Sequence, residues 1–498
     1  MTPPDELPTT VSRVFDAALR ARPDAEALVA RSGRWSYTQL DEACARAAGA
    51  LRDLGVRPGD RVAGSLDNDL GILVAFHGTM RLGAIWVGVN QALAPPEQSF
   101  LLADSATSLI LSDTAPAALD TDARVIGSDE WDAAATAAEP ARDLPPVDPD
   151  AAAALTYTSG TTGRPKGAIH SQRNLLLPGR VLVDTRGWDH TLRKGDSLPL
   201  TIVNMQALTS LLTAQAGGTC VIIDTMWADA VSEWIEREAV TVWNGPPALL
   251  HSLITSDAVR STALASLEEV WSGGSALPES LRDRFHERFG KPLIGTYGLS
   301  EAPTVVSIDP PGGAHVEGAS GQVLPHLDVT LADEQDGLGE LCLSPATDGP
   351  YAGLYTPLLG YWGRPEASEA VLAGGVVHTG DVGFVDDDGW LHVRDRKNLV
   401  IIRGGANVYP AEVERVLHTI DGVAGAAVTG IADERLGQRV VAAVETDEGV
   451  QLDPESIRER CGTELARYKV PDRIEVVAAL PRNAMGKVDR TALASLFG

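Results

Sequence analysis

The chain has 498 residues, which is longer than a single hydrophobic core usually supports, so we expect two or more domains. A hydrophobic content of 44% and a charged content of 22% are those of an ordinary globular protein. With 41 basic and 68 acidic side chains the formal net charge is −27, which argues against nucleic acids and anionic membranes as general partners.

The amino terminus, MTPPDELPTT, is acidic and has no apolar core, so it is not predicted to be a signal peptide. The sequence contains no apolar run of about 18 residues, and no membrane span is expected. Cys44, Cys220, Cys342 and Cys461 are far apart and form no CxxC pair. A disulfide framework or a zinc site is therefore not predicted, and a cytoplasmic location is expected.

Residues 10–150 alternate helical patterns with short apolar strands. DEACARAAGALRDLG (41–55) predicts an amphipathic helix that ends at Gly55, and DRVAGSL predicts the strand that follows. HGTMRLGAIWVGVN (77–90) repeats this scheme. Residues 118–148 are rich in Ala, Asp and Pro and predict a surface excursion.

TYTSGTTGRPKG (156–167) follows an apolar run that predicts a buried strand, and Ser171 is placed to cap a helix after it. Loops at the carboxyl ends of strands hold ligands in open α/β sheets, and glycine lets backbone N–H groups approach an anion. Composition alone fits a phosphate-binding loop and a flexible connector equally well. A Walker A loop is excluded because Pro165 precedes Lys166 and Gly167 follows it.

Helix and strand patterns alternate again at VIID, TVWNGPP and EEVWSGGSALP, and from about residue 320 short strands and turns take over. The turn at 386–389 predicts a hairpin. Pro410 is predicted to start a helix with Val413, Leu417 and Ile420 on one face. A domain boundary is predicted near residues 395–399.

Two further stretches carry oxygen ligands. In GTYGLSE (295–301), Glu301 stands beside the hydroxyls of Ser300 and Thr296, a set that suits Mg²⁺ on phosphates. In HTGD (378–381), Asp381 is suited to accept hydrogen bonds from two ribose hydroxyls. Taken alone, each stretch is more typical of a turn or a cap.

Two last stretches lie toward the carboxyl terminus. DRKNLVIIRGGANVYP (395–410) offers Arg396 to the same ribose, and Gly404-Gly405 permits close backbone approach to a thin ligand. PRNAMGK (481–487) places Lys487 on a loop. A hinge and a solvated lysine are the simpler explanations when each stretch is taken alone.

In this fixed order the five motifs resemble those of the adenylate-forming superfamily, which contains AMP-forming acyl-CoA and aryl-CoA synthetases, peptide-synthetase adenylation domains and luciferases. The resemblance extends from about residue 10 to 495. It implies an α/β fold in which residues 1–396 form a large adenylation domain of doubly wound sheets with a small β-barrel-like subdomain. Residues 397–498 would form a small mobile α+β domain carrying Lys487.

The resemblance implies that a carboxylic acid reacts with MgATP to give an acyl-adenylate and pyrophosphate, after which CoA displaces AMP. Lys487 would bridge the carboxylate and the α-phosphate, Ser300 would contact that phosphate, and Glu301 would bind Mg²⁺. The positions implied to bind ATP or CoA are Thr158, Ser159, Gly160, Thr161, Thr162, Gly163, Lys166, Gly273, Gly274, Ser275, Thr296, Tyr297, Gly298, Asp381, Arg396, Gly404 and Gly405.

Two positions depart from the family pattern. Leu399, after Asn398, occupies the hinge position that is usually Asp or Lys, which puts full domain alternation in doubt. Ile202 replaces the usual His of the LPLFHxxG region, which implies an unusual acyl pocket. The implied pocket residues, which favour a compact or aromatic acid but would also fit core packing, are Ile202, Asn204, Met205, Trp243, Asn244, Gly245, Trp271, Thr296 and Leu299.

Three versions of the activity are compatible with these motifs. The first is an acid–CoA ligase, and the second transfers its activated group to a carrier protein or an amine. The third activates nitrite and joins it to an aryl amine, as some relatives of CoA ligases do. An ATP-binding relative without chemistry is disfavoured because Lys487, Glu301, Asp381 and Arg396 are all present. A hydrolase is excluded because neither a GxSxG nor an HExxH motif occurs, and a homo-oligomer is left open.

Overall fold

The computed structural model describes residues 8–113, 119, 121–158, 165–274, 277–335, 337–397, 399–403, 406–433, 435–447, 449–483 and 486–498. Its first third alternates helices with short strands, as the sequence predicts. In chain order the elements are a 3₁₀ turn (Val11–Arg13), α1 (Asp16–Ala21), β1 (Glu26–Ala30), β2 (Gly33–Ser36), α2 (Tyr37–Asp53), β3 (Arg61–Ser65), α3 (Leu70–Leu82), β4 (Ile85–Gly88), α4 (Pro95–Asp104), β5 (Leu109–Ser112), β6 (Arg124–Ile126), α5 (Ser128–Ala137), β7 (Ala152–Thr158), β8 (Lys166–Ser171) and α6 (Gln172–Arg186).

Strands β3 to β8 form a six-stranded sheet in the order β6-β5-β3-β4-β7-β8. Neighbouring strands run parallel except β8, which is antiparallel to β7. The sequence predicted a strand, a loop and then a helix, and the structure adds strand β8 between the loop and the helix. The TYTSGTTGRPKG stretch therefore connects two strands that pair with each other. Helix α6 starts where predicted, because the hydroxyl of Ser171 accepts a hydrogen bond from the Asn174 amide at 3.1 Å.

The predicted surface excursion at 118–148 contains strand β6 and helix α5. Trp131 on α5 is fully buried and Ile126 on β6 is 1% exposed, so apolar side chains anchor a segment that is rich in small and acidic residues. The alanines of α5 and α2 let the two helices pack closely.

The middle of the chain builds a nine-stranded sheet in the order β15-β14-β13-β12-β11-β9-β10-β1-β2, in which β1 and β9 to β13 run parallel. Its further elements are β9 (Arg193–Asp196), α7 (Val203–Gln206), a π-helical turn (Ala207–Leu211), α8 (Leu212–Ala216), β10 (Thr219–Ile222), α9 (Ala228–Arg237), β11 (Val242–Asn244), α10 (Pro247–Thr255), β12 (Glu269–Gly273), α11 (Glu279–Phe289), β13 (Leu293–Leu299), β14 (Ala302–Ile308) and β15 (Gln322–Val323).

A four-stranded antiparallel sheet in the order β16-β17-β18-β19 forms the small β subdomain. Its elements are β16 (Leu327–Gln335), β17 (Leu338–Pro345), α12 (Pro365–Val371), a 3₁₀ turn (Ala373–Gly375), β18 (Val377–Val385) and β19 (Leu391–Arg396). The predicted hairpin joins β18 and β19, and the Asp386 carboxylate closes it by accepting the amides of Asp388 and Trp390.

The last hundred residues have a sheet and a hydrophobic cluster of their own. Their elements are β20 (Ile401–Arg403), β21 (Ala406–Val408), α13 (Pro410–Leu417), β22 (Val423–Asp433), β23 (Gly437–Thr446), α14 (Pro454–Glu464), β24 (Arg473–Val477) and α15 (Arg490–Ser495). Val413 and Leu417 on α13 are fully buried and Ile420 packs beside them, as predicted.

The predicted α/β fold, with a large N-terminal part and a smaller C-terminal part, is confirmed. The boundary between 396 and 397 stays a prediction. No helix in the described parts of the chain is long and apolar enough to cross a membrane.

Candidate active site

Antiparallel pairing of β18 and β19 places Asp381 opposite Arg396. Arg396 Nε lies 2.6 Å from one carboxylate oxygen of Asp381, and the phenol of Tyr297 donates a hydrogen bond of 2.5 Å to the other. The carboxyl group is only 3% exposed, and this burial raises its pKa although Arg396 opposes the change. The two residues predicted to hold the ribose therefore meet, together with Tyr297, one of the positions implied to bind ATP or CoA.

Glu301 is held by Tyr361, a residue that the motifs did not predict. The phenol of Tyr361 donates to Glu301 Oε1 at 2.7 Å, and Lys166 Nζ lies 5.5 Å from the centre of the Tyr361 ring. Tyr361 is fixed by backbone pairing with Ala168, and the next amide donates to the carbonyl of Gly167 at 2.8 Å. Burial raises the pKa of Tyr361, so it remains a donor at neutral pH. One phenol thus connects the predicted magnesium ligand to the predicted phosphate-binding lysine.

His170 positions the turn that carries Ser300. The ring is fully buried, and its Nε2 lies 2.6 Å from the carbonyl oxygen of Ser300, while Nδ1 lies 3.3 Å from the Asn174 amide nitrogen. Burial lowers the pKa of His170 to about 4, so the ring is neutral and its Nε2–H donates to the carbonyl. The signal in the sequence was a polar residue at an inward position of β8.

The residues around Thr296 are packed tightly. A Cβ on Gly273 would lie 2.1 Å from Thr296 Oγ1, so only glycine allows β12 and β13 to approach this closely here. The Thr296 hydroxyl donates to the carbonyl of Ser272 at 3.3 Å. Gly274 follows β12, and Gly298 is half-buried on β13.

Lys487 stands on a tight turn of the C-terminal part. The Asn483 side chain accepts the Lys487 amide at 3.1 Å, and the Asn483 amide donates to the Lys487 carbonyl at 2.8 Å. Gly486 adopts a φ of +75°, a conformation that favours glycine, and so completes the turn. The turn holds the backbone while the lysine side chain remains accessible to solvent.

The turn brings Lys487 within electrostatic reach of Arg396, Asp381 and Glu301. Nearby protein groups partly desolvate the ammonium, and this lowers the pKa of Lys487, as does the charge of Arg396. The two carboxylates act in the opposite direction. Lys487, from the last part of the chain, therefore lies near charged side chains of the preceding part.

The predicted acyl-pocket residues fall into two groups. Asn244 and Trp271 are neighbours on adjacent strands, and the Asn244 amide lies 3.7 Å from the sulfur of Met205. Trp243 points to the opposite face of the sheet, where it is fully buried in a separate hydrophobic cluster with Gly245 against its ring. Of the remaining predicted residues, Ile202 and Asn204 are half-buried and Leu299 is buried.

Thr158 ends β7 and pairs with Lys166 on β8, so both ends of the predicted phosphate-binding loop are close together. No group of three or more His, Cys, Asp or Glu side chains that could hold a metal occurs in the described ranges. Mg²⁺ is usually held by one or two carboxylates and substrate phosphates, so Glu301 fits this chemistry. The predicted residues Ser159, Gly160, Thr161, Thr162, Gly163, Ser275, Gly404 and Gly405 lie outside the described residues.

Comparison with protein families matches residues 15–347 to the AMP-binding enzyme family and residues 412–487 to the AMP-binding enzyme C-terminal domain. The chain is 35% identical to the feruloyl-CoA synthase of an Amycolatopsis species, over 96% of this chain and 98% of the relative. It is 32% identical to the long-chain-fatty-acid–CoA ligase FadD13 of Mycobacterium tuberculosis, over 92% of each.

The crystal structure of ATP-bound MatB from Rhodopseudomonas palustris is similar throughout, with a TM-score of 0.88 and 27% identity over 98% of this chain and 99% of that one. The apo form of the same protein gives a TM-score of 0.78. The chain as a whole therefore superposes better on the ATP-bound form than on the apo form.

Proposed function

The chain belongs to the AMP-binding enzyme family and is an AMP-forming ligase, and from this premise we propose that it joins a compact or aromatic carboxylic acid to CoA. ATP first activates the acid as an acyl-adenylate with release of pyrophosphate. The thiol of CoA then displaces AMP to give the thioester.

The electrostatic proximity of Lys487 to Glu301 and to the Asp381–Arg396 pair supports this proposal. A carboxylate and an α-phosphate are both anions, so their reaction needs positive charge fixed between them. Lys487 comes from a separate part of the chain and can supply that charge once both substrates are bound. The protein otherwise contributes positioning, as in other phosphoryl and nucleotidyl transfers.

Glu301 is proposed to hold Mg²⁺, which would neutralise charge on the ATP phosphates. Tyr361 restrains that carboxylate and Lys166 together, and His170 restrains the backbone at Ser300. Asp381 is proposed to exchange part of its present hydrogen bonding for the ribose hydroxyls.

For the second step we place the domain boundary after Arg396 and propose that the part from 397 onward rotates, bringing Gly404 and Gly405 toward the thiol. In the present arrangement a hydrogen bond crosses this boundary, because the Asp395 carboxylate accepts the amide of Ala411 on α13 at 2.8 Å. Rotation would break that bond. Leu399 is half-buried. Rotation would expose this apolar side chain at the hinge to water, which is unfavourable and opposes the movement.

A different acceptor, either a carrier protein or an amine, is the second candidate. It is favoured by Leu399 at the hinge and by Ile202 where the family pattern has histidine. Nitrite activation for an aryl amine belongs to this candidate. The names of the relatives range from an aromatic acid to long-chain fatty acids, so the proposed acid rests on the side chains of the pocket.

Exchange of radiolabelled pyrophosphate into ATP tests the first step. Lys487→Ala should abolish exchange with a substrate acid while ATP binding, measured by calorimetry, is largely retained. Exchange at the wild-type rate in this variant would contradict the assignment of Lys487.

A further inference from the structure

Strand β9 has an unusual composition for its position. It lies between β10 and β11 with parallel partners on both sides, where strands are normally near-continuous hydrophobic runs. Its sequence is instead Arg193-Lys194-Gly195-Asp196. The side chains of Lys194 and Asp196 are both fully buried.

The two buried charges satisfy each other locally. Lys194 Nζ lies 3.1 Å from Asp196 Oδ2 and donates at the same distance to the carbonyl of Gly195, and it stands 5.4 Å from the centre of the Trp271 ring. Asp196 Oδ2 also accepts the Thr209 hydroxyl at 2.9 Å. Thr209 belongs to the π-helical turn that follows α7, and such turns frequently occur at functional sites.

Stability alone does not explain this pair. A buried ion pair gains little over well-packed hydrophobic residues of the same volume, because both charges must be desolvated. Removing either partner by itself would leave an uncompensated charge. The ion pair therefore does not stabilise the fold more than apolar residues on this strand would. Its presence favours a role in the neighbouring pocket.

The pair shares one face of the sheet with Asn244 and Trp271, two of the residues implied to line the acyl pocket. Asp196, Asn244 and Trp271 occupy one rung across three adjacent strands, β9, β11 and β12. Trp271 in this rung is two residues before Gly273, and Gly273 pairs with Thr296 on the next strand. The two levels are therefore about 7 Å apart along the strand axis. A benzoate whose carboxylate lay at the level of Thr296 would span about this distance with its ring and one substituent.

Asn244 is the polar side chain of this rung that remains available to a ligand. It is 8% exposed, and its amide nitrogen has only the sulfur of Met205 as a partner at 3.7 Å, which is a weak acceptor. The carboxylate of Asp196 is already occupied, since Oδ2 accepts from Lys194 and Thr209 and Oδ1 accepts the amide of Leu198 at 3.4 Å. On this rung, the side-chain carbonyl oxygen of Asn244 would therefore accept a hydrogen bond that a ligand donates.

We propose that Asn244, positioned by the buried Lys194–Asp196 pair, selects benzoate-sized aromatic acids that carry a hydroxyl or amino group on the ring. This inference rests on the proposed function. Asn244 is the specificity-determining residue, while Lys194, Asp196 and Thr209 act through the position of the pocket wall. Met205 can move aside, since its side chain is flexible.

The test measures kcat/KM for pyrophosphate exchange with meta- and para-substituted benzoates. Each hydroxybenzoate or aminobenzoate is paired with the methylbenzoate of the same ring position, which has nearly the same size. In at least one pair the wild type should prefer the donor-bearing acid by tenfold or more, since a site built for a hydrogen bond rejects the analogue that lacks it. Asn244→Leu should bring that ratio to within about threefold.

A double variant, Lys194→Met with Asp196→Leu, tests the positioning role, because it replaces the pair with apolar residues of similar volume. It should melt within a few degrees of the wild type and lower the same ratio. The matched control is Arg34→Met with Glu238→Leu, which removes an ion pair at the sheet edge, at 2.6 Å in the wild type, and should leave the ratio unchanged.

Wild-type ratios within about threefold for every pair would overturn the inference, while the exchange itself would uphold the proposed function. An Asn244→Leu variant that keeps the wild-type preference would also overturn it. No exchange with any benzoate of the panel would also overturn the inference, whereas exchange with another compact or aromatic acid would still uphold the proposed function.

Discussion

Tyr361→Phe removes one oxygen atom from the contact between Tyr361, Glu301 and Lys166. The ring stays beneath Lys166, and only the 2.7 Å hydrogen bond to Glu301 is lost. Hydrogen bonds to charged groups contribute about 1.5 to 3 kcal/mol. Because Tyr361 is half-buried, water can take the place of the phenol, and we expect the lower end, about 1.5 kcal/mol. A loss of this size lowers the adenylation rate roughly tenfold.

The assay is pyrophosphate exchange measured over a titration of Mg²⁺. If Tyr361 orients the carboxylate that holds the metal, the variant should also need more Mg²⁺ to reach half its maximal rate. Tyr361→Leu removes the ring as well, and the lost cation–π contact should cost about a further 0.5 to 1 kcal/mol.

Tyr355→Phe is the matched control, because the buried hydroxyl of Tyr355 has no hydrogen-bond partner within the described structure. It should exchange pyrophosphate at the wild-type rate. Exchange by Tyr361→Phe that equals this control at every Mg²⁺ concentration would refute a positioning role for Tyr361.

Four further predictions concern pH, the hinge and the ribose site. The pKa of Lys487 is lowered, and its ammonium must be present for catalysis, so kcat/KM should fall as pH rises through a value below the ordinary lysine range; Lys487→Arg should lack this loss. The pKa of His170 is about 4 in the folded protein and about 6.5 in the unfolded chain, so its contribution to stability is fully present above pH 6.5 and is lost on acidification. The free energy of unfolding should fall by about 2 kcal/mol on acidification to pH 5. Thermal melts of wild type and His170→Gln across this range would show whether this dependence of stability on pH requires His170. Leu399→Asp should raise the CoA-dependent half-reaction several-fold in single-turnover measurements, and an unchanged rate would count against the hinge proposal. Asp381→Asn should raise the KM for ATP at least tenfold while the KM for the acid changes little, and a selective effect on the acid would exclude a ribose role.

The elements that the sequence predicted correctly have local signals. Ser171 caps α6 within three residues, the hairpin at 386–389 is closed by its own carboxylate, and α13 has a Pro start and a regular apolar face. Strand β8 was not predicted, because its pairing with β7 spans a loop whose composition fits a phosphate-binding loop or a connector and carries no strand signal.

The contacts that hold the site are distant in the sequence, and for that reason motifs alone did not predict them. Tyr361 and Glu301 are 60 residues apart, and His170 and Ser300 are 130 residues apart. The opposite orientation of Trp243 and Trp271 depends on the register of two strands, which the sequence does not reveal. Lys194 and Asp196 resemble an exposed turn in sequence, and only the order of strands in the sheet places them in the interior.

Release of AMP by the purified protein with MgATP is the most direct test of the central claim. A panel of aromatic, alicyclic and short aliphatic acids would be run with and without CoA, together with one pair of reactions containing nitrite and an aryl amine. An acid–CoA ligase requires both one acid and CoA for multiple turnovers, with the thioester as product. Turnover that does not depend on CoA, or that occurs only with nitrite and the amine, would contradict the proposed thioester step and identify a different acceptor.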